Sequence, residues 1–422
     1  MKKYQVTPLR IFLLLCALSL SLACNCLCGE KTAAAAPAAL PVPPTPAPIE
    51  SGKPWHFAVS GDSRNCGDVV MPAIAQGAAR DQAKFYWHLG DLRAIYDFDE
   101  DMQKDYKLKG KPLTISEYEK TAWDDFRHNQ TVPFGGIPFF LGIGNHETIA
   151  PMKTRCDFAK TFQDFLESPP LKSSQANVPQ KAAAQSTISS GEKAAQNCSD
   201  CCPEACDDVN PTPYFHWVED GIDFIYLDNA SKCQFTQKQL DWFKAVTNND
   251  AASDAIRTVV VGMHKALPYS ISQGHSMNES PWGERSGTQV YKELLQLQNE
   301  KHKKVYVLAS HSHYYMEDIF NTQYWRSNGG VLPGWIVGTA GAHRYPLPEP
   351  NSARVARTNV YGYLLGTANP PGQAPGTIQF EFKEIKEQDV PQAIVHGFSQ
   401  EFVHWCFVNN TDAKQAASAA QP

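Results

Sequence analysis

The stretch Pro138–Glu147, PFFLGIGNHE, is an apolar run that stops abruptly in an amide, an imidazole and a carboxylate. The same design recurs at His56–Arg64 (HFAVSGDSR), Phe85–Asp91 (FYWHLGD), Thr258–His264 (TVVVGMH) and Val305–His313 (VYVLASHSH). Short continuous apolar runs closed by Gly or Ser are buried strands. Between them the spacing changes to a helical one: Asp68–Arg80, then Ile115, Tyr118, Ala122 and Phe126, and later Val290, Leu294 and Leu297. Thr236 and Gln239 make a capping box ahead of Leu240, Phe243 and Val246. Tyr214–Val218 and Asp223–Asp228 flank Asp220-Gly221 as a hairpin. Alternation of this kind predicts an α/β fold, with strands covered by helices on both faces.

The polar residues that end these runs matter through their placement. Asp62, Asp91, Asn145, His264, His311 and His313 each lie just beyond the carboxyl end of a predicted strand, the edge at which open α/β sheets bind ligands. Carboxylate, amide oxygen and imidazole suit Zn, Mn or Fe, so a shared edge predicts a metal site. Asp62 and Asp91 could each be an ordinary helix N-cap, and His264 alone could be a core histidine. Two such aspartates together with Asn-His-Glu and His-x-His favour the metal.

In this order the blocks Gly61-Asp62-Ser63-Arg64, Gly90-Asp91, Gly144-Asn145-His146-Glu147, His264 and Ser310-His311-Ser312-His313 resemble the calcineurin-like metallophosphoesterases, a superfamily that includes the purple acid phosphatases. The resemblance covers roughly residues 55 to 345. It implies a four-layer α/β/β/α sandwich with mixed sheets and helices outside. It also implies a site for two divalent ions (Zn, Mn or Fe), with Asp91 bridging, Asp62 and His313 on the first ion, and Asn145, His264 and His311 on the second. His146 would stand by the leaving group, and Glu147 would orient a ligand. The implied reaction is hydrolysis of a phosphate ester, monoester or diester, by attack of a metal-bound hydroxide on phosphorus. The alternative is a noncatalytic phosphate- or partner-binding envelope protein with a degenerate first site.

One block departs from the pattern: Arg64 stands where the superfamily has a histidine ligand, and a guanidinium cannot ligate a metal. Purple acid phosphatases replace that histidine with a tyrosine three residues after the bridging aspartate; here the position holds Ala94, with Tyr96 out of register. Arg64 is therefore expected to grip a substrate phosphate. Arg93, His275 and His343 are weaker candidates for substrate contact, and Trp282, Tyr314 and Tyr315 candidates to line the cleft.

A net charge of −6 excludes nonspecific attraction to nucleic acid or anionic membrane, leaving a small phosphorylated substrate as the expected partner. Lys2, Lys3 and Arg10 ahead of the apolar run Ile11–Leu22 read as an export signal over residues 1–29. Leu20-Ser21-Leu22-Ala23-Cys24 approaches a lipobox with its leucine one place too far from the cysteine, so attachment to a membrane is expected only through an N-terminal lipid. The expected location is periplasmic or anchored to the cell envelope. Residues 30–51 form an Ala/Pro-rich tether. Residues 52–385 form the catalytic domain, 168–212 a low-complexity and Cys-rich insertion in it, and 386–422 a tail of undetermined structure. Eight cysteines lie beyond the signal: Cys66, Cys156, Cys198, Cys201, Cys202, Cys206, Cys233 and Cys406. An even number in an exported chain suggests disulfides, with a zinc site in the 198–206 cluster as the alternative.

Overall fold

A computed structural model describes residues 40, 42–149, 154–167, 210–230, 234–349 and 353–412. The expected signal, half of the tether, nearly all of the insertion and the cysteine cluster lie outside them. The strands are β1 (Trp55–Ser60), β2 (Ala83–His88), β3 (Phe139–Leu141), β4 (Phe215–Glu219), β5 (Ile222–Leu227) and β6 (Thr258–Met263). They continue as β7 (Lys304–Ala309), β8 (Tyr315–Glu317), β9 (Gly334–Val337), β10 (Ala356–Arg357), β11 (Tyr361–Ala368) and β12 (Ile378–Ile385). One sheet runs β12-β11-β1-β2-β3 and the other β10-β8-β9-β7-β6-β5-β4. Both are mixed. β1, β2 and β3 are parallel neighbours, as are β5, β6, β7 and β9; antiparallel strands flank them on both sides in the larger sheet and on the β11 side in the smaller, whose other edge is the parallel β3.

Strand alternation builds the layers. Phe57, Phe85 and Trp87 point from the first sheet onto Trp217 and Phe224 of the second, with ring centroids 5.1 to 5.5 Å apart across four of these pairs, and Phe140 stacks on Trp217 at 3.8 Å. Such contacts add about 0.5–1.5 kcal/mol each beyond the area they bury. The intervening residues face outward: Val259, Val261 and Met263 join Val305 and Val307 in a separate core with Leu240 and Phe243 of helix Gln237–Ala252 and Val290 and Leu294 of helix Pro281–Asn299. On the far side, Tyr86 reaches Met71 of helix Gly67–Arg80. The expected α/β/β/α order is therefore produced by which way each strand residue points.

Three departures from the sequence reading have local causes. Thr236 caps its helix through the Gln239 N–H, but the Gln239 side chain does not return the bond. It instead clamps the backbone of Asp228, accepting from the N–H and donating to the carbonyl at 2.8 Å each. The stretch read as a tail carries helices Gln392–Phe398 and Gln400–Val408, and its Cys406 is bonded to Cys66, 340 residues away. Both cysteines are fully buried, so the chain from residue 386 to 412 is part of the domain. The end of the expected tether is also seated: Gly136 donates to the carbonyl of Pro43. Cys156 is likewise disulfide-bonded, and paired cysteines fit an oxidising compartment. Among the described residues no helix is long and apolar enough to cross a membrane.

Candidate metal centre

The carboxyl ends of β1, β2, β3, β6 and β7 meet along one edge shared by the two sheets, and all six predicted ligands follow them. Asp62, Asp91 and His311 sit in the left-handed region, at φ 61°, 59° and 64°. Non-glycine residues accept that conformation where surrounding structure over-determines it, commonly at functional sites. The loops after β2 and β3 approach so closely that a Cβ on Gly144 would lie 2.1 Å from Asp91 Oδ1. Gly144→Ala is accordingly expected to displace that carboxylate and weaken metal binding by about 10- to 100-fold, measured by calorimetric titration with circular dichroism as the folding control.

Around His264 the donor atoms converge. Its Nδ1 donates to the Leu89 carbonyl at 3.0 Å, which leaves Nε2 facing Asn145 Oδ1 (3.0 Å), His311 Nδ1 (3.1 Å) and Asp91 Oδ1 (3.3 Å). All three can accept, so a proton on His264 Nε2 would satisfy them in the ion-free chain. Burial opposes charge on His264, yet Asp91 raises its pKa to about 9. Burial opposes charge on Asp91 as well, but His146, His264 and Arg64 hold it well below the usual carboxylate range.

Beside this lies a second donor set. His313 donates through Nδ1 to the His343 carbonyl at 2.6 Å and turns Nε2 toward Asp62 Oδ1 at 3.2 Å. Asp62 Oδ1 and Asp91 Oδ2 are buried without a hydrogen-bond partner, a costly state that an ion relieves. The carboxylate and imidazole atoms of Asp91, His264 and His311, and those of Asp62, Asp91 and His313, lie within 4.8 Å of one another in each group. Asp91 belongs to both. By donor chemistry and by these orphaned oxygens the residues fit divalent ions.

Arg64 is inside the cluster. Its Nη2 is 3.3 Å from His313 Nε2 and donates to Tyr345 Oη at 3.4 Å, while its Nε lies 3.9 Å from Asp91 Oδ2. Glu147 accepts from the backbone N–H groups of Asp91, Leu92 and Gly144 at 2.7 to 2.9 Å, and so fixes both loops. Burial and the neighbouring Asp91 push its pKa up to about 8. His146 donates through Nδ1 to the Ala94 carbonyl at 2.5 Å, with Nε2 3.6 Å from Asp91 Oδ2. Burial, then Arg64, lower its pKa to about 3. In that state Nε2 can accept a proton but has none to give, so an acid role requires the negative charge of a substrate beside it.

Other expectations are redistributed. Arg93 does not face a cleft: it is fully buried among Asp68, Asp101 and Asp125 and bonded to all three. Tyr315 packs flat on Phe382 at 4.3 Å, and Tyr314 is buried with its hydroxyl on Ser272 Oγ, so neither lines the site. Trp282 is at the surface under Arg285. His343 and His275 are on the rim, the first in ring contact with His313 and the second with His311. Tyr96 lies over the His146 ring with centroids 4.7 Å apart. The sequence reading missed Tyr345, which stacks on His313 at 4.0 Å, and Glu279, 3.8 Å from His311 Nε2 and ion-paired with Lys265. No spacing marks Tyr345. Glu279, four residues after His275 and grouped with it and His311, could have been found as a His-x3-Glu pair.

No protein-family model matches the sequence, and no curated protein matches it. Solved structures do. The chain is similar to a purple acid phosphatase from yellow lupin (Lupinus luteus) seeds, at 14% identity and TM-score 0.49, over 81% of this chain and 53% of that one. It is similar to the protein named PhoD, at 13% and 0.48, over 86% and 79% of the two chains. A dimetal phosphatase from Danio rerio follows at 10% and 0.42, over 80% and 100%. The chain spans about half the length of the lupin protein. At these identities the likeness concerns the fold alone.

Proposed function

We propose that the protein is an exported, metal-dependent hydrolase of phosphate esters. The observation that carries this reading is the overlap of two buried donor sets in one carboxylate, Asp91, at the shared edge of both sheets. Asp91, Asn145, His264 and His311 would hold one divalent ion, with Asp62 and His313 adjoining. An ion bound there supplies positive charge for phosphoryl oxygens and lowers the pKa of water. The chain's own residues do the rest. Arg64 presents a planar fork suited to phosphate, Glu147 keeps the Asp91 and Asn145 loops in register, and His146 stands beside Asp91 to exchange a proton with the substrate.

The test is turnover of p-nitrophenyl phosphate and of its bis-ester by purified protein with added Mn or Zn, and in chelator. Hydrolysis that appears with metal and disappears with chelator is expected; its absence on both esters would sink the reading. A noncatalytic phosphate-binding role is favoured by one observation, the placement of Arg64 against His313 Nε2. It predicts phosphate binding without turnover.

Metal uptake is also expected to be coupled to protons. His264 keeps a proton up to about pH 9 in the ion-free chain, and the ion must displace it. The raised pKa means that the protonated form dominates below pH 9, so apparent affinity rises about tenfold per pH unit up to that point and then levels. Calorimetry at pH 7 in buffers of differing ionisation enthalpy should report release of about one proton per ion.

A further inference from the structure

We infer that Arg64 takes the place of one metal ion, so that the centre holds a single tightly bound divalent ion, at Asp91, Asn145, His264 and His311, beside a permanent guanidinium charge. The inference rests on the metal-dependent reading above and departs from the two-ion site that the sequence pattern implies.

The argument starts at His313. With Nδ1 committed to the His343 carbonyl, its neutral ring has one remaining lone pair, on Nε2. That nitrogen is 3.3 Å from Arg64 Nη2, so the lone pair that would bind the first ion already accepts an N–H. Asp62 and Asp91 would be the only other ligands among the described residues of that position, and Arg64 Nε is 3.9 Å from Asp91 Oδ2. The tyrosine that adds a donor in the purple acid phosphatases has no counterpart among the described residues: Tyr96 lies over His146, and Tyr345 packs its ring on His313 with its hydroxyl toward Arg64.

Charge points the same way. Once an ion has displaced the proton of His264, the charged side chains facing the two positions are two carboxylates and one guanidinium, which leaves one negative charge in excess. A single divalent ion turns this into one positive charge, suited to a phosphate. A second would seal three positive charges into a pocket whose members are almost all buried, with Arg64 only 3% exposed and held by Tyr345 and His313 rather than free to swing out. By contrast the His264 position contains no permanently charged cation, and its four donors already converge.

The experiment is metal stoichiometry. Purified protein is stripped, titrated with Mn(II) and followed by calorimetry and by electron paramagnetic resonance, which separates an isolated Mn(II) from a spin-coupled pair. The wild type should bind one ion per chain with the spectrum of an isolated centre, and any second ion at least about 100-fold more weakly. Arg64→Met, which removes the charge, and Arg64→His, which supplies a ligand, should each bind two ions, with coupling in the second. Two ions of similar affinity in the wild type would overturn the inference while leaving the hydrolase reading intact, and this needs no variant to fold. Both variants binding only one ion would overturn it as well. One ion bound without turnover on either ester would support the inference and remove the hydrolase reading.

Discussion

Asp91→Asn should cut metal-dependent turnover sharply, lowering kcat/KM by about 100- to 1,000-fold, the scale at which one preorganised electrostatic contact is lost from a reaction centre. The substitution keeps the shape of the side chain. It removes the one carboxylate common to both donor groups and the charge that holds His264 protonated in the ion-free chain. The His146 N–H donates to Asp91 Oδ1 at 3.1 Å, a bond the asparagine oxygen can keep, so the fold should survive. Two measurements read the result: turnover of p-nitrophenyl phosphate at saturating Mn, and metal content by mass spectrometry. Full activity in the variant would remove Asp91 from the centre of the mechanism.

Arg93→Met should destabilise the protein by about 3–5 kcal/mol, as expected when one partner of a buried ion network is removed. Among the described residues Arg93 is the only cation bonded to Asp68, Asp101 and Asp125, and Asn129 and Gln130 add neutral bonds to Asp68. Methionine fills similar volume and leaves the carboxylates facing one another. The effect carries a pH signature. In the wild type, burial and Asp68 raise Asp125 to about 8 and hold Asp101 well above its usual range. The folded state thus keeps protons that the unfolded chain releases above about pH 4, and stability from these groups falls as pH rises from about 4 to about 8. Without Arg93 the fall steepens, so the variant should be nearest the wild type in acid and furthest from it near pH 8. Urea unfolding at pH 5 and pH 8 provides the check; a pH-independent difference would refute the account.

The sequence disclosed the central strands because they are buried on both faces and read as unbroken apolar runs, as Thr258–Met263 is throughout; the half-exposed Phe215–Glu219 and Ile378–Ile385 show no such run. It disclosed the ligands because each closes such a run. What stayed hidden depends on long-range partners. Helix Glu100–Leu108 buries only Asp101 and Met102, so no apolar stripe announces it. The C-terminal helices are short and broken at Ser399, where φ is 92°, and their anchorage is the distant Cys66. Arg93 resembled a substrate contact because it is two residues from Asp91; the aspartates that enclose it are scattered from residue 68 to 125. Arg64 was visible as an oddity, but its reach to His313 required the packing of loops from both sheets.

That convergence has a consequence for how the molecule holds together. Asp62, Asp91 and Asn145 belong to the five-stranded sheet, and His264, His311 and His313 to the seven-stranded one. An ion coordinated by both groups acts as a rivet through the seam between the layers. Such an ion would bind the folded chain and find no comparable site in the unfolded one, so free metal at 100 times its dissociation constant would add about 2.7 kcal/mol of stability. The ion supply of the compartment would then govern the lifetime of the protein, and a chain starved of metal would be the one most readily opened along that seam.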